Sequence, residues 1–230
     1  MKLTPEQIER LYQFTRQHYV EWYDLQTELV DHLANAIEQQ WYENPNVHFE
    51  EALQTEFKKF GVFGFMDVVE KRQAALNNKY NKIIWGHFKD FFSVPKIIIT
   101  FSLIGSLFLM LKNFKYAELI STTLIFGVII TFWIGLLIQK RKSKKQTKES
   151  GKKWLLKDII FGYSTFAGLS YLPLQLIINV DFENIGNLKA LVISSITIFL
   201  YLIEYIMLFE IPSKAGKYLE ETYPEYNFVT

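Results

Sequence analysis

Asp24, Glu28, Asp31, His32 and Glu38 fall within one short stretch, YDLQTELVDHLANAIEQQW, residues 23–41. Glu28 and His32 are four apart and Asp31 lies one turn from Glu28, so on a helix the three share a side. A carboxylate and an imidazole at that spacing are the start of a metal site or of an acid–base pair. Two or three more ligands are required. The other histidines, His18, His48 and His87, are scattered and build no HExxH-like pattern. A solvated acidic face with one boundary histidine is the simpler reading. No catalytic residue, metal ligand or cofactor is assigned. Asp24, Glu28, Asp31 and Glu38 are read instead as a face on which a protein partner docks.

Two further groups of residues carry charge in unusual places. Glu204 is the one acid within the apolar stretch 190–209, ALVISSITIFLYLIEYIMLF. An ionisable group inside a membrane span is a functional candidate by default. Its distance of about a turn and a half from Glu210 also allows an interfacial role, or a pair with Lys157. The second group is the run KRKSKKQTKESGKK, residues 140–153, with eight Lys or Arg and one Glu. Lys140, Arg141, Lys142, Lys144 and Lys145 are the candidates for contact with anionic lipid. A nucleic-acid patch has the same composition, but so short a run between two apolar stretches reads as a topology signal, and no direct nucleic-acid binding is expected.

The elements that hold these residues divide the chain. It has 230 residues, half of them apolar, and a formal net charge of +1. That balance hides an acidic front: residues 1–92 carry ten Lys or Arg against fourteen Asp or Glu, and 93–212 carry thirteen against seven. There is no cysteine, which excludes disulfides and thiolate chemistry. No apolar leader follows Met1. Four apolar stretches lie after residue 92, and a helix needs ~20 apolar residues to cross the hydrocarbon core. Ser102 with Ser106, and Ser164 with Gly168, are small pairs suited to close helix approach, and Pro173 is expected to bend the third span. The basic run belongs on the cytoplasmic side, which puts both termini there, in a bacterial inner membrane.

The front reads as helices throughout. Thr4, Pro5 and Gln7 spell a capping box with proline at the first helical position. Leu25, Leu29, Leu33, Ala36, Ile37 and Trp41 recur at helical spacing and form a buried stripe. NPN at 44–46 breaks this helix, FEEALQTEF begins another, and Gly61 stops it. A last helix runs from about Met66 toward the membrane. In residues 81–95, Ile84, Phe88, Phe91 and Phe92 share a side. That side is expected to lie on the bilayer surface or to pack on the soluble domain. The fold class is thus all-α: a cytoplasmic helical domain, 1–80; an amphipathic linker, 81–95; a four-helix transmembrane bundle, 96–211, with a basic loop at 139–154; and a tail, 212–230.

The run ELVDHLANAIE, followed by FEEAL and an FG turn, resembles the HAAS-type helical domain of bacterial membrane proteins. The matching positions are Glu28, Leu29, Asp31, His32, Leu33, Ala36, Ile37 and Glu38, then Phe49, Glu50, Glu51, Ala52 and Leu53, then Phe60 and Gly61. The likeness covers roughly residues 3–75. It implies a cytoplasmic domain ahead of several spans and association with PadR-type transcriptional regulators or permease-like segments. It implies no reaction and supplies no catalytic residue. The expected function is regulation or signalling by protein–protein contact, in a bilayer and open to self-association, and not an enzyme's. A small transporter is the alternative; it would draw on Ser and Thr hydroxyls, Tyr171, Gln175 and Glu204. A membrane enzyme is the other, and the spans contain no histidine to serve it.

Overall fold

The computed structural model describes residues 2–162, 173, 175 and 186–228. Among them every regular element is helical. Most of the third apolar stretch, with Ser164, Gly168 and the residues on either side of Pro173 where a bend is expected, lies outside the described residues. Two compact units form, the first from residues 1–77 and 147–156, the second from 78–146 and 157–228.

The first unit is built on helices α1 (Pro5–Gln17), α2 (Tyr23–Glu43) and α3 (Phe49–Lys58) and the start of α4 (Met66–Asp90). The capping box forms: the Thr4 side chain accepts from Gln7 N–H, and the Gln7 side chain accepts from Thr4 N–H. The α2 stripe is buried at Leu25, Leu29, Leu33, Ile37 and Trp41, with Trp41 Nε1 donating to the Val47 carbonyl at 2.8 Å. α3 adds Ala52 and Leu53. Phe14, Phe57 and Phe65 meet edge to face, and His18 lies among them, 4.1 Å from the Phe57 ring centre. Gly61, at φ +79°, and Gly64, at φ +55°, shape the turn into α4. A Cβ on Gly64 would stand 2.9 Å from Phe57 Cζ, so this turn needs glycine both for its backbone and for its space.

The second unit contains α5 (Lys96–Asn113), most of α6 (Ala117–Ser150), the rest of α7 (Leu155–Gly162), α8 (Asn187–Tyr205), a π-helical turn (Ile206–Glu210), α9 (Ile211–Ser213) and α10 (Ala215–Thr222). A 3₁₀ turn, Pro224–Phe228, follows. Three helical stretches, Lys96–Asn113, Ala117–Ser150 and Asn187–Ser213, are long and apolar enough to cross a membrane. Their outward faces carry Ile98, Phe101, Phe126, Ile130, Trp133, Leu137 and Leu191, all exposed. A water-soluble protein seldom leaves so much apolar surface uncovered, and a lipid-facing surface has this composition. Inside, Leu107, Leu111, Ala117, Ile125, Ala190 and Ile193 form one cluster.

Helix approach uses other small residues than the spacing predicted. Ser102 and Ser106 are exposed, and α5 buries Thr100, Ile104, Leu107 and Leu111 instead. On α6, Gly127 and Gly135 are the close points. A Cβ would stand 2.7 Å from Tyr201 Oη at the first and 2.5 Å from Leu208 Cδ1 at the second. Small residues matter where a large side chain faces them, and one helix's sequence does not contain that partner.

Two further segments take definite form. The basic run is largely helix, because α6 continues to Ser150 and only Gly151, at φ +67°, ends it. Lys, Arg and Gln are good helix formers, and no glycine or proline interrupts them. At 1.5 Å per residue α6 is about 51 Å long, well beyond a ~30 Å hydrocarbon core. The aromatic side of 81–95 finds ring partners within the second unit. Phe88 and Phe92 pack on Phe199 of α8, and Phe91 meets Tyr205 edge to face at 6.2 Å.

Candidate functional site

The most constructed polar arrangement of the first unit joins the start of α2 to residues 152–155. Tyr23 N–H donates to the Lys153 carbonyl at 2.7 Å, and Leu155 N–H donates to Asp24 Oδ1 at 3.1 Å. Lys153 Nζ reaches Glu21 Oε2 at 2.7 Å and lies over the Trp22 ring; Lys152 Nζ lies 4.2 Å from the Tyr23 ring centre. Trp154, 1 % exposed, meets Tyr23 edge to face. Beside this joint is a cleft of about 410 Å³, walled among others by Tyr12, Arg16, Tyr23 and Lys152. Its charges are internally matched at Arg16–Glu9 and Lys153–Glu21.

This arrangement corrects the acidic face. Asp24 is buried, 7 % exposed, and serves an internal segment, so it offers nothing to an outside partner. Helical periodicity places Asp24 beside Glu28 and Asp31, but the chain that covers it is 131 residues away. Glu28, Asp31 and His32 are exposed, and the Phe60 ring stands 5.8 Å from that of His32. Glu38 is half-buried and accepts from Leu3 N–H at 3.0 Å. Among the described residues no three His, Asp or Glu groups converge as a metal site.

Lys140, Arg141, Lys142, Lys144 and Lys145 are all exposed along the end of α6. Glu204 is buried, and its Oε2 has no hydrogen-bond partner among the described residues. Lys157 is buried as well, and among the described residues no ion pair joins it to Glu204. Just beyond Glu204 is the π-helical turn, where the Gln139 side-chain amide donates to the Leu208 carbonyl. A π turn leaves carbonyls without their usual α-helical donor, and a side chain must supply one where water is absent. At the end of that turn Glu210 accepts from Lys214 at 3.0 Å and stands 3.3 Å from His87 Nδ1, while His87 Nε2 is 2.7 Å from Tyr218 Oη. Spacing within α8 could not reveal this cluster, because its members come from three elements.

The fold alters the acidity of His18. Its burial among phenylalanine rings holds it below the ordinary imidazole value. Comparison with protein families, characterised proteins and solved structures found nothing that matches the chain.

Proposed function

We propose that this is a membrane-embedded regulatory or signalling protein that acts by protein–protein contact through its N-terminal helical domain. The observation that carries this reading is the incorporation of residues 152–155 into that domain. The segment is the covalent lead into α7, so whatever shifts the start of α2 also shifts the chain entering the next apolar stretch. A domain bonded in this way to the connection between membrane helices is suited to pass on a binding event. The HAAS-type resemblance supports the same reading, and a PadR-type regulator is the partner class it implies.

The docking face is the exposed part of α2, Glu28 and Asp31, offered to a basic partner surface. The basic end of α6 contacts anionic headgroups. That residues 147–156 share a unit with the helical domain supports one side of the bilayer for both, and the cation bias supports the cytoplasm as that side. A four-span layout, with the third span in 159–180, keeps both termini there.

The experiment is a pull-down of the full-length solubilised protein, wild type against Glu28→Lys/Asp31→Lys, with partners identified by mass spectrometry. A protein retained by the wild type and lost from the variant is expected; an unchanged set of partners removes the acidic face from the reading. Orientation is read with single cysteines at Ser150 and Lys189, since the chain has none of its own. In intact cells an impermeant reagent should label Lys189→Cys alone, and labelling of Ser150→Cys instead would reverse the topology.

A further inference from the structure

One cleft of the second unit opens beside the Glu210–Lys214 pair. It has a volume of about 580 Å³ and lies between the start of α5 and the end of the last long helix, lined by the polar Lys96, Lys214, Ser213 and Glu210 and by the apolar or aromatic Phe91, Ile99, Tyr205 and Phe209. Lys96 is the first residue of one membrane-length helix, and Lys214 follows directly on another that ends at Ser213. α5 and α8 pack on each other, so the two lysines mark the same end of two neighbouring spans. That is the level at which lysines meet headgroups.

The charges in the cleft do not cancel. Glu210 is its one lining acid and is shared between Lys214 and His87. Lys96 has no carboxylate within ion-pairing distance among the described residues; its Nζ lies 4.7 Å from the Phe91 ring centre. Two lysines therefore face one lining glutamate, and Lys96, which feels Glu210 only from beyond ion-pairing distance, remains open to an anion. The apolar part of the lining is uncovered: Ile99 is 60 % exposed and Phe209 64 %, with Tyr205 stacked on Phe209.

We propose that this cleft binds one anionic glycerophospholipid, its phosphate against Lys96 and Lys214 and an acyl chain along Ile99, Tyr205 and Phe209. A free phosphate would use the lysines and leave the apolar wall bare. A zwitterionic lipid would use the wall but bring its own cation to a site already in positive excess. The anionic lipid satisfies both walls. It also bridges the start of α5 and the end of the last span, next to the His87–Glu210–Tyr218 cluster.

Native mass spectrometry of the full-length protein in detergent tests this on the wild type alone. Phosphatidylglycerol, phosphatidylcholine and free glycerol phosphate are titrated separately. The expected result is one phosphatidylglycerol retained more tightly than the first phosphatidylcholine, with no competition from glycerol phosphate. Equal retention of the two lipids overturns the proposal in favour of a merely apolar groove. Full displacement by glycerol phosphate overturns it in favour of a simple anion site. Lys96→Gln and Lys214→Gln should each weaken retention roughly fivefold, the worth of one lysine at an anionic surface. Lys58→Gln/Lys71→Gln, both exposed in the first unit and outside either basic region, should leave the first binding event unchanged. If Lys140→Gln/Lys142→Gln at the end of α6 abolishes it and Lys96→Gln does not, the lipid sits elsewhere and the assignment falls.

Discussion

Asp24→Ala should release residues 152–155 from the helical domain. The substitution removes the acceptor of Leu155 N–H, and Leu155 is 1 % exposed, so water cannot take the vacated place. A buried donor left without a partner costs ~1–3 kcal/mol, and the loss of an acceptor at a helix start costs ~1 kcal/mol. These describe one bond and are not summed; about 2 kcal/mol is the working figure. The neighbouring ion pair behaves differently. Glu21 is 65 % exposed in the Lys153–Glu21 pair, so Glu21→Gln should cost no more than ~1 kcal/mol. The Tyr23–Lys153 backbone bond survives both changes. Hydrogen–deuterium exchange of the full-length protein, followed on peptides covering 151–158, reads the difference. A loss of about 2 kcal/mol speeds exchange through local opening roughly thirtyfold, and a loss below 1 kcal/mol less than about fivefold. Asp24→Asn keeps an acceptor oxygen and should lie closer to the wild type. Should Glu21→Gln accelerate exchange as much as Asp24→Ala, or Asp24→Ala leave it unchanged, the buried carboxylate is not what holds the segment.

Stability should fall on mild acidification because of His18. Its folded value lies below the unfolded value of about 6.5, so the unfolded chain takes up the proton first as pH drops. The melting temperature of the helical domain should decline from about pH 6.5 down to the folded-state value, and His18→Phe should flatten that decline. Gly64→Ala should lower the melting temperature through a cost of about 1–2 kcal/mol from its left-handed backbone alone, with the Phe57 contact adding to it. A melt unchanged from wild type would mean the turn has rearranged. Gln139→Leu removes the donor to Leu208 and should weaken helix association by roughly 1 kcal/mol, measured by denaturation in detergent micelles. Gln139→Glu, which presents no amide donor, should do no better.

Much of the first unit could be read from residue spacing. The Thr4 cap, the α2 stripe from Leu25 to Trp41 and the stop at Gly61 depend on neighbours within a few positions, and each forms. What spacing could not supply is the identity of whatever covers a helix face. Asp24 looks like Glu28 until residues 152–155 arrive from the far end of α6. The same limit explains Ser102 and Ser106, small residues with nothing large opposite them, against Gly127 and Gly135, which face Tyr201 and Leu208. For the basic run the charge pattern raised an expectation about a side of a membrane and obscured its conformation, since Lys and Arg mark a boundary and favour a helix alike. The Glu210 cluster was legible only as a single acid near the end of a span. Its partners, His87 and Tyr218, stand 123 positions before it and 8 after it.

The π-helical turn at Ile206–Glu210 has a bearing on how this chain could have changed over time. Such a turn accommodates one residue more than an ordinary helical turn. A chain lacking one residue there would run on as plain helix, with everything downstream rotated by about 100°. Glu210 would then turn away from His87, Lys214 would leave Lys96, and Leu208 would no longer offer its carbonyl to Gln139. A one-residue gap at this position in a relative should therefore coincide with replacement of Gln139 and His87 in that same relative, since each would have lost its reason to be retained.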